Sequence, residues 1–393
     1  MTHDMDVIYL DSSDYSRLGD PKRSAETEDL RKKLLALAAS KQKMFVFSAA
    51  HISEMAPLQP DYVESAAART QILEMLCNRN TLISFDKIIK KELSNLTLKS
   101  SKQINPIDTN GTWFPEISEI MAPFHELQVL EQIKTTSQEN NFNRNQRRAL
   151  EKTLQRKGKI RKNVESTIGQ INMEEILTKY PMLPKNAVVL KNYLLGKTTR
   201  QKADEAFLES LRDPVWMMKW FNDHHDRLGA IGDWVRGPAT RMIDIVSETL
   251  IPTVMTGHQG GEAERKAIGS LISNENWQQE QEKFLLTITN NLISQILPYA
   301  ERCTDPSEID IYSPGLSTCL RVIHDSLRNS LTPNPRKIKN SDFVDAVHSI
   351  YLPYVTHFST DRYMIPIMSK HAEKHKTKLF SGLASVEVYV NQN

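Results

Sequence analysis

Short apolar runs that stop at an acidic or hydroxyl residue, each followed by an amphipathic stretch, stand at both ends of this chain and are nearly missing from its middle. Val7-Ile8-Tyr9-Leu10 ends at Asp11-Ser12-Ser13 and predicts a buried strand whose carboxyl end meets a polar loop. Ala25 to Ser40, with leucines at 30, 34, 35 and 37, predicts an amphipathic helix. Met44-Phe45-Val46-Phe47 predicts a second buried strand that feeds Ser48, a reasonable N-cap for a helix running to Met55. Asp61 to Cys77 reads as a further helix and Thr81 to Phe85 as a third strand. Strands alternating with helices argue for a parallel sheet and an α/β domain.

After about residue 93 this alternation stops. Segments near 115–135, 144–165, 173–195, 202–222, 238–250, 262–274, 276–297 and 315–330 carry helical periodicity, punctuated by Asp213-Pro214 and by Gly257 to Gly261. Leu331 to Pro335 reads as a linker. The α/β pattern then resumes. Asp342 to Tyr351 predicts a helix, Thr356 to Thr360 a short strand ending at Asp361, Tyr363 to Lys374 a helix, and Val386 to Val390 a terminal strand. Three strands or one strand pair alone make a poor closed core. One α/β domain, formed by residues 1–93 and 336–393 and interrupted by a mainly helical insertion at 94–335, is therefore the simpler expectation, with two independent domains as its alternative.

A charged fraction of 25% and a formal net charge of +2 place the chain among ordinary globular proteins, so any basic patch must be local. Cys77, Cys303 and Cys319 are widely spaced, which argues against a disulfide framework or a structural zinc site and fits a reducing cytoplasm. The first residues carry acids where a signal peptide needs basic and apolar ones, and no apolar run reaches the roughly 20 residues that span a bilayer. A cytoplasmic protein with no membrane partner is the expectation.

The acids are the chemistry-bearing residues. Asp11 ends the first predicted strand, Glu54 follows the second by one or two helical turns, and Asp361 ends a later strand. Asp342 and Asp345 open a helix, three residues apart and so on one face. In open parallel sheets functional sites gather at the carboxyl ends of strands, so these acids can converge although 350 positions separate Asp11 from Asp361. Clustered carboxylates raise one another's pKa, and a divalent cation relieves the repulsion. Hard oxygen ligands suit Mg²⁺ or Mn²⁺. Asp11 and Asp361 are the best candidates for direct ligands. Glu54 and Asp345 are candidates for direct or water-mediated ones, with Asp14 and Asp342 behind them.

In these pieces the chain resembles the PIN-domain nuclease family: IYLDSSDYSRL at 8–18, FVFSAAHISEM at 45–55 and SDFVDAVHSIYLPYVTHFSTDRYM at 341–364. The resemblance covers roughly 1–93 and 336–393 and departs from the family in its long interruption. It implies a PIN-like α/β fold with an acidic quartet of Asp11, Glu54, Asp345 (or Asp342) and Asp361, and a metal-dependent nuclease that cleaves RNA. Many members are toxins or defence effectors, which would give the insertion a role in substrate choice, in holding a regulatory protein or a second copy, or in restraint. An inactive PIN-like module that binds nucleic acid or protein, and a metal-dependent DNA nuclease, are the alternative readings.

Other features are weaker. His348 lies three residues after Asp345 and His51 three before Glu54, where packing or hydrogen bonding suits them better than ligation. Asp223-His224-His225-Asp226 places its histidines on different sides of a helix, a poor metal geometry. Trp216, Trp220, Phe221 and Trp234 read as packing anchors, and Gly257 to Gly261 lacks the Lys and Ser/Thr of a phosphate loop. The most basic stretch is Arg144 to Lys162, which includes Arg147 and in which Arg144, Arg148, Lys152 and Arg156 would form one helical stripe able to grip phosphates. Changing those four to Gln is expected to lower the log–log salt slope of nucleic-acid binding by roughly 3, at about 0.7–0.9 per lost contact. A salt titration with an unchanged slope would reduce the segment to a solvated face.

Overall fold

The computed structural model describes residues 5–56, 60–114, 155–156, 159–160, 177, 181–194, 197–223, 259–271, 273–330 and 340–392. The chain divides into two compact units: residues 1–55, 64–113 and 234–393 form the first, and 56–63 with 114–233 the second.

The first unit is α/β, mostly helical around a small parallel sheet of four strands, in the order β2 (Lys43–Val46), β1 (Asp6–Tyr9), β7 (His357–Ser359), β8 (Lys378–Phe380). β1 (Asp6–Tyr9) is central, with both faces covered, and so reads as an unbroken apolar run. It leads through α1 (Ser12–Gly19) and α2 (Ala25–Ser40) into β2 (Lys43–Val46), which pairs with it from Asp6↔Lys43 to Tyr9↔Val46. Ser24 caps α2 by accepting from the Thr27 N–H, and Lys41, at φ 58°, closes it in a left-handed turn. α3 (Ala49–Met55) and α4 (Val63–Cys77) follow. β3 (Thr81–Leu82) touches the end of β2 through a parallel Phe47↔Thr81 bridge, and it pairs antiparallel with β4 (Ile107–Asp108) beyond α5 (Phe85–Thr97).

The C-terminal strands complete the sheet. β7 (His357–Ser359) pairs with β1 at Ile8↔His357 and Tyr9↔Phe358. Thr356 fixes the register, because its hydroxyl accepts from the Val7 N–H at 2.9 Å while its own N–H donates to the Val7 carbonyl at 3.0 Å. The Met364–His375 helix then leads to β8 (Lys378–Phe380). Ahead of β7, the Asn340–His348 helix tightens into a 3₁₀ turn, Ser349–Tyr354, that contains Pro353. Proline lacks the N–H that an α-helix would use there.

Three sequence expectations are corrected. Val386 to Val390 is not a strand: Leu383–Gln392 is a helix, burying Leu383, Val386, Tyr389 and Val390 at helical spacing. The Tyr389 hydroxyl donates to Asp6 at 2.6 Å, beside the Lys43–Asp6 ion pair, and docks this helix at the amino end of β1. The terminal strand is instead Lys378–Phe380, three residues with a single buried side chain and little apolar signal. The third correction concerns 144–165, which is not one helix: β5 (Gln155–Arg156) and β6 (Lys159–Ile160) pair antiparallel. Arg156 therefore lies in a strand, and Arg144, Arg147, Arg148 and Lys152 fall outside the described residues.

The Asn274–Ile296, Pro306–Tyr312 and Pro314–Ser330 helices share one apolar core with β1, α5 and the 349–354 turn, through Trp277, Leu285, Ile309, Val322, Tyr9, Ile88 and Tyr351. In the second unit, helices Pro184–Leu194, Arg200–Leu211 and Pro214–Asp223 are described, and the break at Asp213-Pro214 is capped by the Asp213 carboxylate accepting from the Trp216 N–H. Trp220 is buried and donates to the Leu177 carbonyl, as a packing anchor would. Trp234, His224, His225 and Asp226 lie outside the described residues, as do Gly257 and His258. Cys77, Cys303 and Cys319 are buried free thiols. Among the described residues no helix is long and apolar enough to cross a membrane.

Glu92 clasps α5 to the Pro314–Ser330 helix. Its two carboxylate oxygens accept from the Gly315 and Leu316 N–H groups at 2.7 Å, and Tyr354 donates to it as well. A Cβ at position 315 would come 2.5 Å from the Ile350 carbonyl oxygen, so only glycine allows this approach. Burial pushes the Glu92 carboxyl up to about 7, against the pull of those donors. A raised acid stabilises the folded state below its unfolded pKa and loses that contribution as pH rises through its folded one. Urea denaturation of Glu92→Ala is expected to show a loss of about 2–4 kcal/mol, from the buried donors left unpaired. Wild-type stability should also carry a fall between pH 4.5 and about 7 that Glu92→Gln lacks.

Candidate acid site at the carboxyl ends of the strands

The site begins where β1 stops. Asp11 is the N-cap of α1, and one of its oxygens accepts from the Ser13 N–H at 2.9 Å and from the Ser13 hydroxyl. Asp14 closes a capping box by accepting from the Asp11 N–H at 3.2 Å. Asp14 is fully buried, and the same oxygen takes the Ser359 hydroxyl at 2.5 Å, tying α1 to the end of β7. Its other oxygen, Oδ1, is buried with no hydrogen bond from the described residues. Burial lifts the Asp14 carboxyl to about 6, with the Asp11 charge adding to the rise. Burial also raises Asp11, reinforced by the charge of Glu54 and opposed by Ser13.

Glu54 comes from α3, after β2. Its Oε2 accepts from the Ser12 hydroxyl and, at 3.1 Å, from His348 Nε2. Burial works to raise this carboxyl, but His348 and Ser12 together hold it below the usual range. His348 moves the opposite way: burial depresses it, and the neighbouring Glu54 charge and hydrogen bond raise it overall. Its other ring nitrogen, Nδ1, lies 2.5 Å from the Tyr9 hydroxyl, which lies 2.6 Å from the Ser48 hydroxyl. Ser48 thus spends its hydroxyl on Tyr9, while its N–H donates to His51 Nδ1 at 3.1 Å. His51 Nε2 donates to the Leu10 carbonyl at 2.8 Å, so both ring nitrogens are used. Burial drives His51 down to about 3, leaving a neutral structural imidazole.

Asp345 is the outlier of the group. It is 9% exposed and accepts no hydrogen bond from the described residues. Burial and the charges of Glu54, Asp11 and Asp361 push its carboxyl up to about 8, only partly offset by His348. Asp361 is exposed just beyond β7 and accepts from the Met364 N–H at 2.8 Å, at the start of the next helix. Four of the five expected acids therefore act on one another, and Asp345 is where their fields meet. Asp342 lies one turn earlier on the helix of Asp345, with its side chain outside the described residues.

The sequence gives His348 a packing or hydrogen-bonding role near the acids, and in the structure its Nε2 is hydrogen-bonded to Glu54. Tyr9, Ser12, Ser48 and Ser359 were not singled out as site residues. The available signal was polar atoms at the ends of otherwise apolar strands, since a buried hydroxyl must find a partner. Among the described residues no three His, Cys, Asp or Glu side chains stand arranged to hold a metal ion.

Comparison of the chain with protein-family models, with curated proteins and with solved structures found no match.

Asp345 raised by burial lends stability when protonated and withdraws it as pH climbs from 3.8 through about 8. Asp345→Asn, which keeps the shape without the charge, is expected to be more stable than wild type at pH 9 by at least about 1.4 kcal/mol, the energy of one pKa unit. Thermal melts of the two proteins at pH 5 and pH 9, without added metal, measure this. A difference that does not grow with pH would remove Asp345 from the buried acid cluster.

Proposed function

We propose that this chain is a metal-dependent nuclease of PIN-like fold that hydrolyses phosphodiester bonds, with RNA as its substrate. The observation that supports it is Asp345: a buried carboxyl with no hydrogen-bond donor among the described residues, facing the charges of Glu54, Asp11 and Asp361. A fold gains nothing in stability from such an arrangement. It becomes favourable when a cation shares the charge. The donors are all hard oxygens, which fits Mg²⁺ or Mn²⁺. Asp11, Asp345 and Asp361 would hold the ion, with Glu54 beside them and Asp342 as the alternative on its helix. A bound divalent ion supplies a hydroxide nucleophile near neutral pH and stabilises charge on the phosphodiester.

The chain's own residues then have separable tasks. Ser13 and the α1 N-terminus orient Asp11. Ser12 and His348 orient Glu54. The exposure of Asp361 leaves the site open toward solvent, where a phosphate backbone can approach. The choice of RNA rests on the resemblance to PIN domains, as does the reading of the chain as a toxin or defence effector.

A second reading has an observation of its own. Hydrogen bonds within the protein already occupy Glu54 Oε2 and Asp11 Oδ2, and no ready-made three-ligand group is present among the described residues. That arrangement suits a PIN-like module that binds nucleic acid or protein without cleaving it.

Cleavage of single-stranded RNA and DNA with Mg²⁺, Mn²⁺ or EDTA separates the readings. The nuclease reading expects metal-dependent cleavage of RNA and a fall of a hundredfold or more in Asp11→Asn and Asp361→Asn, on the order of or beyond what loss of a supporting ligand partner costs. DNA cleavage alone would change the substrate. Binding without cleavage would favour the second reading, and wild-type rates in both variants would mean that the site lies elsewhere.

A further inference from the structure

Among the described residues, Glu54 is held by one oxygen only. The Ser12 hydroxyl and His348 Nε2 both address Oε2, while Oε1 accepts no hydrogen bond from the described residues. The His348 ring is itself aimed from behind. Its Nδ1 is 2.5 Å from the Tyr9 hydroxyl, and that hydroxyl is 2.6 Å from Ser48 Oγ. Tyr9, Ser48 and His348 are 1%, 0% and 3% exposed, so water does not compete for these bonds.

The Tyr9 ring has little freedom to turn. It stacks on Phe358 at 5.1 Å with an interplanar angle of 11°, and lies 4.6 Å from His51 and 5.8 Å from Tyr351. The His51 ring meets His348 edge-on at 5.0 Å. The chain of contacts therefore runs from the rigid centre of the sheet to a single carboxylate oxygen. In either protonation state of its other nitrogen, His348 donates to Glu54 through Nε2, because a carboxylate only accepts.

We propose that Tyr9 and His348 are positioning residues of the acid site, which fix Glu54 by Oε2 and so present Oε1 to a divalent cation. This rests on the metal-dependent reading above. A merely space-filling His348 would not need both ring nitrogens engaged, nor a tyrosine hydroxyl anchored on a second hydroxyl to hold it. Partners that orient ligands in this way commonly change metal affinity ten- to hundredfold when removed.

The test uses the full chain and two readouts. Mn²⁺ affinity is measured from the paramagnetic resonance signal of the free ion for wild type, Tyr9→Phe, His348→Leu and His348→Gln. Ring-nitrogen NMR of histidine-labelled protein, with the His348 signals assigned by their loss in His348→Gln, is recorded for wild type, Tyr9→Phe and Glu54→Gln. Tyr9→Phe and His348→Leu are expected to weaken Mn²⁺ binding about ten- to hundredfold. His348→Gln, whose amide nitrogen can take the place of Nε2, should recover part of the loss. The His348 ring signals should shift in both Tyr9→Phe and Glu54→Gln. Unchanged Mn²⁺ affinity in Tyr9→Phe and His348→Leu, beside a binding wild type, overturns the proposal. If wild type itself binds no Mn²⁺, the metal-dependent reading fails, and a proposal about presenting an oxygen to a cation falls with it, while shifted ring signals would still show that the hydrogen-bonded chain exists. Should His348→Leu fail to fold, Tyr9→Phe decides alone, because it keeps the stacked ring and removes only the hydroxyl.

Discussion

β1 pairs with β2 along one edge and with β7 along the other, and the acid site hangs from that second pairing. The first pairing is local: a short helical crossover returns the chain beside itself. The second joins residues almost 350 positions apart, Ile8 with His357 and Tyr9 with Phe358. Only two residue pairs define that register, so Thr356 and the Tyr9–Phe358 stack contribute much of its definition. A slip by one residue would turn Tyr9 to the other face of the sheet. His348 would then lose its Tyr9 hydroxyl, and Ser359 would no longer meet Asp14.

The helices between the two halves of the sheet do more than connect them. Those at 274–330 pack into the same apolar core as β1, and Glu92 stitches α5 to one of them at a point where only glycine fits. This packing bears on the site indirectly. The 349–354 turn lies against the Pro314–Ser330 helix, and the Asn340–His348 helix that carries Asp345 and His348 runs directly into that turn. The position of two site residues is therefore set by a core to which they contribute little surface.

The site also shows opposed demands on neighbouring groups. Burial pushes Asp11, Asp14 and Asp345 toward their neutral forms, with the Glu54 charge adding to Asp11 and Asp345 and the Asp11 charge to Asp14 and Asp345, whereas His348 and Ser12 hold Glu54 below the usual carboxyl range. A helix built for stability alone would carry an apolar residue at the buried position 345. Retaining a carboxyl there costs the fold, and it is the kind of local conflict with foldability that marks functional positions.

The sequence by itself determined the central strands, the helices that follow them, and the acids at the strand ends. These depend on apolar periodicity and on residue type, both local properties. α2 at Ala25–Ser40 was legible to the residue, and Asp11 announced itself as the polar stop of a buried strand. The terminal helix was not legible, because Val386, Val388 and Val390 alternate like a strand until Asp6 and the sheet select the helical face that is buried. Nor was the Gln155–Arg156 and Lys159–Ile160 strand pair, which falls inside a stretch whose apolar spacing reads as helical. The tertiary structure alone decided that His348 faces Glu54, that Tyr9 and Ser48 stand behind it, and that Asp345 lies among charges with no hydrogen bond from the described residues. Each of these is a contact between residues tens to hundreds of positions apart, and no local pattern encodes which buried hydroxyl or imidazole will meet which acid.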